Sequence, residues 1–174
     1  MIYMIIALAI LARFIPHVPN FSPVYGALLF GGARLKKRDS IWFPLLLLVG
    51  SDLVLTTFIY HQSVGWGEFV QIAAFAAIIM MGWLLRHKTT WRRFTLACVA
   101  GPTVFYLISN FGVWLAWQSY RRTLAGLMDC YAAGVPFYGY SLASTFLFAM
   151  VLFGLYEFYT MRHLRGRGAE SEPD

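Results

Sequence analysis

The sequence predicts an all-α polytopic membrane protein, a bundle of six transmembrane helices with both termini in the cytoplasm. Three observations predict it. Hydrophobic residues make up 59% of the 174-residue chain and charged residues only 13%, too few to cover a soluble domain, where about 25% is usual. The apolar residues come in runs that approach the ~20 residues needed to cross a hydrocarbon core. The Lys and Arg residues lie in short clusters between those runs, as membrane topology requires.

The apolar segments are 2–15, 22–35, 40–60, 67–86, 94–117 and 137–161. The first begins at Met1 with no Lys or Arg ahead of it, so it reads as a retained helix rather than a signal peptide. Cleavage near Ala9 or Ala12 is the other reading. The first two runs are shorter than the rest and either cross a thinned bilayer or form one re-entrant hairpin. The last four are long enough to span. Residues 1–165 are expected to form one transmembrane domain and 166–174 a disordered cytoplasmic tail, ending in the acidic stretch Glu170–Asp174.

Sidedness follows from the loops. One side collects Arg34, Lys36, Lys37 and Arg38, then Arg86, Lys88, Arg92 and Arg93, then Arg162, Arg165 and Arg167, which is eleven of the fourteen basic residues. The other side holds Arg13, Arg121 and Arg122. The positive-inside rule therefore puts both termini in the cytoplasm of a bacterial inner membrane, whether or not the first two runs cross fully. Small residues recur at four-residue spacing as Ala27 and Gly31, Ala73 and Ala77, Ala97 and Gly101, Gly112 and Ala116, and Gly139 and Ala143. Such pairs let helices approach closely within a compact monomeric bundle. No internal repeat points to an inverted-repeat transporter.

The net charge of +6 is accounted for by topology and implies no nucleic-acid partner. Cys98 lies in an apolar run and Cys130 in a loop, so no disulfide is expected. No GxxxxGK[ST], HExxH, GxSxG or paired-cysteine pattern occurs. His17, His61, His87 and His163 are too scattered for a metal site. The expectation is no catalytic residue, no metal and no cofactor.

Polar residues in or above the spans are the candidate site. Asp52 falls within the third span, where a charge costs ~2.5–3.5 kcal/mol and is rarely idle; it either contacts a ligand or makes a structural hydrogen bond. Ser109 and Asn110 in the fifth span are candidate partners for it. The first outward loop, Pro16–Pro23, has prolines at 16, 19 and 23. These stiffen the backbone into either a pocket rim holding His17, Asn20 and Phe21 or a rigid turn. His61, Trp66 and Glu68 cluster at the next outward connection. The third, 118–136, is the longest and carries Arg121, Arg122 and Tyr131, with Phe137 following; Thr123–Ala133 is expected to form a short amphipathic helix over the bundle. Arg121 and Arg122 break the positive-inside pattern and call for a partner: lipid phosphate first, then an acidic ligand, with Asp129 and Glu68 as the candidates within the chain.

These features together resemble the substrate-binding S component of energy-coupling-factor vitamin transporters. The Ala7-Leu8-Ala9-Ile10-Leu11-Ala12 stretch is similar to the small-residue face by which S components meet their transmembrane scaffold. Leu29-Phe30-Gly31-Gly32 before a basic loop and Ser51-Asp52-Leu53 in the third helix complete the likeness. The chain is also similar, over nearly its whole length, to an uncharacterised bacterial membrane family. The signatures there are Pro-His-x-Pro-Asn-Phe-x-Pro (Pro16–Pro23), Ser-Asp-Leu (Ser51–Leu53), Asn-Phe-Gly-x-Trp (Asn110–Trp114), Gly-Leu-x-x-Cys-Tyr (Gly126–Tyr131) and Pro-Phe (Pro136–Phe137).

The S-component likeness implies a small-molecule substrate held under the outward loops, and docking on a scaffold and ATPases through Ala7, Ala9 and Ala12. Size is most similar to the solitary cobalamin S components, which implies ligand contacts from His17, Asp52 and Arg121 or Arg122. The run 40–66 has no cysteine to bind cobalt, and the start Met1-Ile2-Tyr3 lacks the Met-x-His of metal-transporting members, so bare metal is not the expected cargo. The expected function is a binding subunit for uptake of a vitamin-like nutrient, with a corrinoid among the candidates. The alternatives are an intramembrane enzyme using Asp52 and a structural subunit of a membrane complex.

Overall fold

In the computed structural model the described residues, 1–15, 18–59, 61, 65–116 and 119–169, are all-helical, with 163–169 given as helix backbone. Helices form where the apolar runs are. They are α1 (Ile2–Leu11), prolonged by a 3-10 turn at Ala12–Phe14, α2 (Val24–Arg34), α3 (Lys37–Val54), passing into a π-helical turn at Leu55–Ile59, α4 (Trp66–Gly82), α5 (Trp91–Ala116) and α6 (Leu124–Ala169). Four of them, α3 to α6, are long and apolar enough to cross a membrane. α1 and α2 are not: the 11 residues of α2 rise only ~16 Å, about half a hydrocarbon core.

α6 departs most from the sequence expectation. The outward connection 118–136 and the separate short helix within it do not exist as such, because α6 is continuous from Leu124 to Ala169 with Pro136 inside it. A proline removes one i→i−4 hydrogen bond and ends many helices, which suggested the break. Here α5 holds the preceding turns in line. The Tyr106 hydroxyl donates to the Tyr131 carbonyl at 2.5 Å, the Tyr131 hydroxyl donates to the Leu107 carbonyl at 2.9 Å, and Cys130 is buried. The α5–α6 connection thus shrinks to 117–123, a length usual for antiparallel helices. The same helix runs through 166–169, which the sequence assigned to a tail; Glu170–Asp174 lie outside the described residues.

The core is built around α2, buried from Val24 to Ala33 and in contact with every other helix. Glycine makes that possible. A Cβ on Gly32 would strike the Ile79 carbonyl, one on Gly82 the Leu29 carbonyl, and one on Gly26 would sit 2.8 Å from the Ala149 nitrogen. α2 is therefore clasped backbone to backbone by α4 and α6. Of the small-residue pairs, Gly31, Gly101 and Gly112 do face neighbouring helices, whereas Gly139 has nothing within 4 Å. The crossings that bring backbone against backbone use Gly26, Gly32 and Gly82, which belong to none of the pairs. Spacing identifies a face but not where it points.

The basic clusters gather at one end of the bundle. There the Tyr3 hydroxyl donates to Asp39 at 2.6 Å, and Trp83 Nε1 donates to Ser40 Oγ at 3.1 Å. Arg34 pairs with Glu157 at 2.5 Å while its guanidinium lies against Phe153 and Tyr156. The α1–α2 connection, the π-helical turn and the outer ends of α4, α5 and α6 make up the opposite end.

Candidate ligand-binding site

Two short helices among four long ones leave a space. The loop joining α1 and α2 is tied to α6, with Ser144 Oγ donating to the Asn20 carbonyl at 3.4 Å and Phe21 edge-on to Phe148 at 6.0 Å. Ser144 stands thirteen residues along α6 from Glu157, so the loop sits ~20 Å above the Arg34–Glu157 pair. α6 continues outward to Gly134, beside Asn110, a further ~15 Å. Asn20 closes the turn in the left-handed region at φ 60°, which asparagine tolerates better than most side chains. Above the hairpin lies a cavity of about 590 Å³. Arg13, Asn20 and Tyr25 line its hairpin side, and Gln71, Phe75 and Phe105 line the wall made by the long helices. Tyr25 and Phe105 are 5.0 Å apart by ring centroid, and Phe75 stacks on Phe105 at 5.4 Å.

A buried ion pair sits beside this cavity. One terminal nitrogen of Arg13 meets Asp52 Oδ1 at 2.5 Å and the other donates to Ser51 Oγ at 3.2 Å. Gln71 Nε2 donates to Asp52 Oδ2 at 3.1 Å, so both carboxylate oxygens are engaged. The Arg13 and Asp52 side chains are only 16% and 11% exposed. Each charge alone would be costly at this depth; together they cancel and satisfy each other. Immediately beyond, α3 widens into the π-helical turn, a distortion frequent at functional sites. Leu55 and Ile59 of that turn line the first cavity, and Leu55 and Thr56 line a second of about 330 Å³. This second cavity also touches Asp52, Glu68 and Ser109, and it shares Arg13 and Gln71 with the first.

The residues singled out from sequence divide accordingly. Asn20 borders the first cavity, and Asp52 and Glu68 border the second. His17 lies outside the described residues. His61 has a φ of 50° in the α3–α4 connection and borders neither cavity. Trp66 is 78% exposed and packs on Phe69. Phe21 is spent on Phe148. Asn110 donates to the Tyr106 carbonyl at 2.8 Å and faces α6; Asp52 is met by Arg13 and Gln71 instead. Tyr131 joins α5 and α6, the Arg121 carbonyl accepts from Trp114 Nε1 at 2.9 Å, and Arg122 lies over the Trp114 ring. Phe137 is exposed.

On α1, Ala9 belongs to the chain's own core and Ala7 and Ala12 are half-buried; the outward stripe is Met4, Leu8, Leu11 and Ile15. Cys98 and Cys130 are free and buried. Among the described residues no group of three or more His, Cys, Asp or Glu side chains could hold a metal ion.

Sequence reasoning missed Arg13, Gln71, Tyr25, Phe75 and Phe105. Arg13 was legible: it breaks the positive-inside pattern as Arg121 and Arg122 do. Gln71 was a polar residue within an apolar span, a weaker signal of the same kind. Nothing marks the three aromatics among the many others.

Four helices of membrane-spanning length and hydropathy define the class, a polytopic helical membrane protein. The chain belongs to the family of unknown function DUF6580, which matches residues 1–167. No curated protein and no solved structure matches it.

Proposed function

We propose that this protein is the membrane-embedded substrate-binding subunit of an uptake system for a small, vitamin-like nutrient in the bacterial inner membrane. The 590 Å³ cavity, at the end opposite the basic clusters, carries this reading. Its volume falls in the ~300–1,000 Å³ range of small-molecule sites, and aromatic and aliphatic side chains share its wall with Arg13, Asn20, Ser22 and Gln71. A molecule of one or two rings fits such a space. In this reading the chain makes six passes, N-in and C-in, with α1 and α2 covering only part of the bilayer. Energy comes from a separate ATPase module through a transmembrane scaffold that meets the outward face of α1. Engagement of both Asp52 oxygens supports binding over proton-transfer catalysis by that carboxylate.

Native mass spectrometry of the protein released from membranes is expected to show a bound small molecule lost on denaturation. An empty protein that also ignores a broad vitamin panel in thermal-shift measurements sinks the uptake reading, and stable co-purification with a larger complex and no ligand favours a structural subunit.

Sidedness can be tested separately, because burial of both native cysteines keeps background labelling low. A membrane-impermeant maleimide added to whole cells should modify Val18→Cys and spare Lys88→Cys until the membrane is permeabilised. The reverse pattern removes the outward-facing pocket.

A further inference from the structure

Arg13 stands between two cavities of unlike charge. Among the described residues the first is lined by Arg13 and by no Asp or Glu; the second is lined by Asp52 and Glu68 as well as Arg13. The counter-charge of Arg13 therefore lies behind it as seen from the larger cavity. The Ser51 and Asp52 contacts engage two of the five N–H donors that a guanidinium carries. Asn20 and Gln71 also line this cavity and add amides to it, and the packed rings of Tyr25, Phe105 and Phe75 line it as well. In a low-dielectric site a cation on one wall selects an anion, and a planar guanidinium suits a carboxylate fork.

Resting on the uptake reading, we infer that the nutrient is an aromatic acid: its ring packs against Phe105 and Tyr25, and its carboxylate pairs with Arg13, sharing that guanidinium with Asp52. Binding is then a partial exchange of one carboxylate for another. It loosens the tie between the α1–α2 hairpin and α3, the two elements that Arg13 and Asp52 join. The same chemistry rejects cationic amines of equal size, which would meet Arg13 without a counter-charge on that wall.

The test uses the full chain in lipid nanodiscs and a size-matched set of bicyclic aromatic carboxylates, their primary carboxamides and their aminomethyl analogues. Titration calorimetry is expected to give carboxylates at least about tenfold tighter binding than the amides, with the amines weaker still. Asp52→Asn should tighten carboxylate binding severalfold, because the internal competitor for Arg13 is gone, and the ligand-induced rise in melting temperature should exceed that of the native protein. A merely structural Asp52 would weaken every ligand alike. The double variant Arg13→Gln/Asp52→Asn, which leaves no unpaired charge, should bind acid and amide equally. Equal affinity for acid, amide and amine in the native protein overturns the inference and leaves the uptake reading standing. Preference for the amine overturns it too. Failure of all three classes to bind overturns both.

Discussion

Replacing Asp52 with alanine lowers the stability of the detergent-solubilised protein by about 3–5 kcal/mol, the usual consequence of stripping one partner from a buried ion pair. Arg13 is then held among Leu55, Phe14 and the cavity walls without the carboxylate 2.5 Å away that neutralises it. Gln71, which donates to Asp52 in the native protein, can turn its amide oxygen toward the guanidinium but brings no charge to neutralise it. Arg13→Ala leaves Asp52 with the Gln71 bond alone and is expected to cost a similar amount. The Arg13→Ala/Asp52→Ala double variant should be less damaged than either single one, because no uncompensated charge remains. The two substitutions are therefore strongly non-additive, with a coupling of at least about 3 kcal/mol, the loss of one single variant. Thermal unfolding followed by circular dichroism measures all four corners of the cycle. Additive losses would mean that the two side chains do not depend on each other.

The second large effect lies at the α2–α4 crossing. Gly32→Leu should prevent accumulation of folded protein, and Gly32→Ala and Gly82→Ala should each cost at least about 1–3 kcal/mol, the range for overpacking a tight core. The added carbon would meet a main-chain carbonyl in each case, Ile79 or Leu29, and backbone cannot swing aside as a side chain can. In lipid, association rests on close van der Waals packing, so separating the two helices forfeits what holds α2 in place. Gly139→Ala is the matched control: its new methyl meets nothing within 4 Å, and alanine is favoured over glycine in a helix by about 0.8–1.0 kcal/mol. It should be neutral or stabilising. A Gly32→Ala protein as stable as the native one would contradict the close approach.

The cavity itself could not be read from composition. α2 looked like a short fourteen-residue run, and its length left open a span across a thinned bilayer and half of a re-entrant hairpin. Its place at the centre of the bundle comes from Gly26, Gly32 and Gly82, glycines whose partners are far away in sequence. Asp52 was recognisable because a charge amid leucines is costly wherever it lies. Its partner was sought in Ser109 and Asn110; Ser109 lines the second cavity with Asp52 but donates to the Tyr106 carbonyl, and Asn110 is turned toward Gly134. The real partner, Arg13, closes the first helix and had been counted only for topology. The aromatic wall of Tyr25, Phe75 and Phe105 draws on three helices, and no local pattern links them.

The sequence by itself determined the class of environment, the helical segments and the gathering of the basic clusters, because hydropathy and charge act residue by residue against the solvent. Only the tertiary structure decided which helix lies at the centre, that α6 continues through Pro136, and that Arg13 meets Asp52 beside a cavity. Those outcomes depend on how helix faces are rotated against one another, and that rotation is set by contacts between residues remote in the chain.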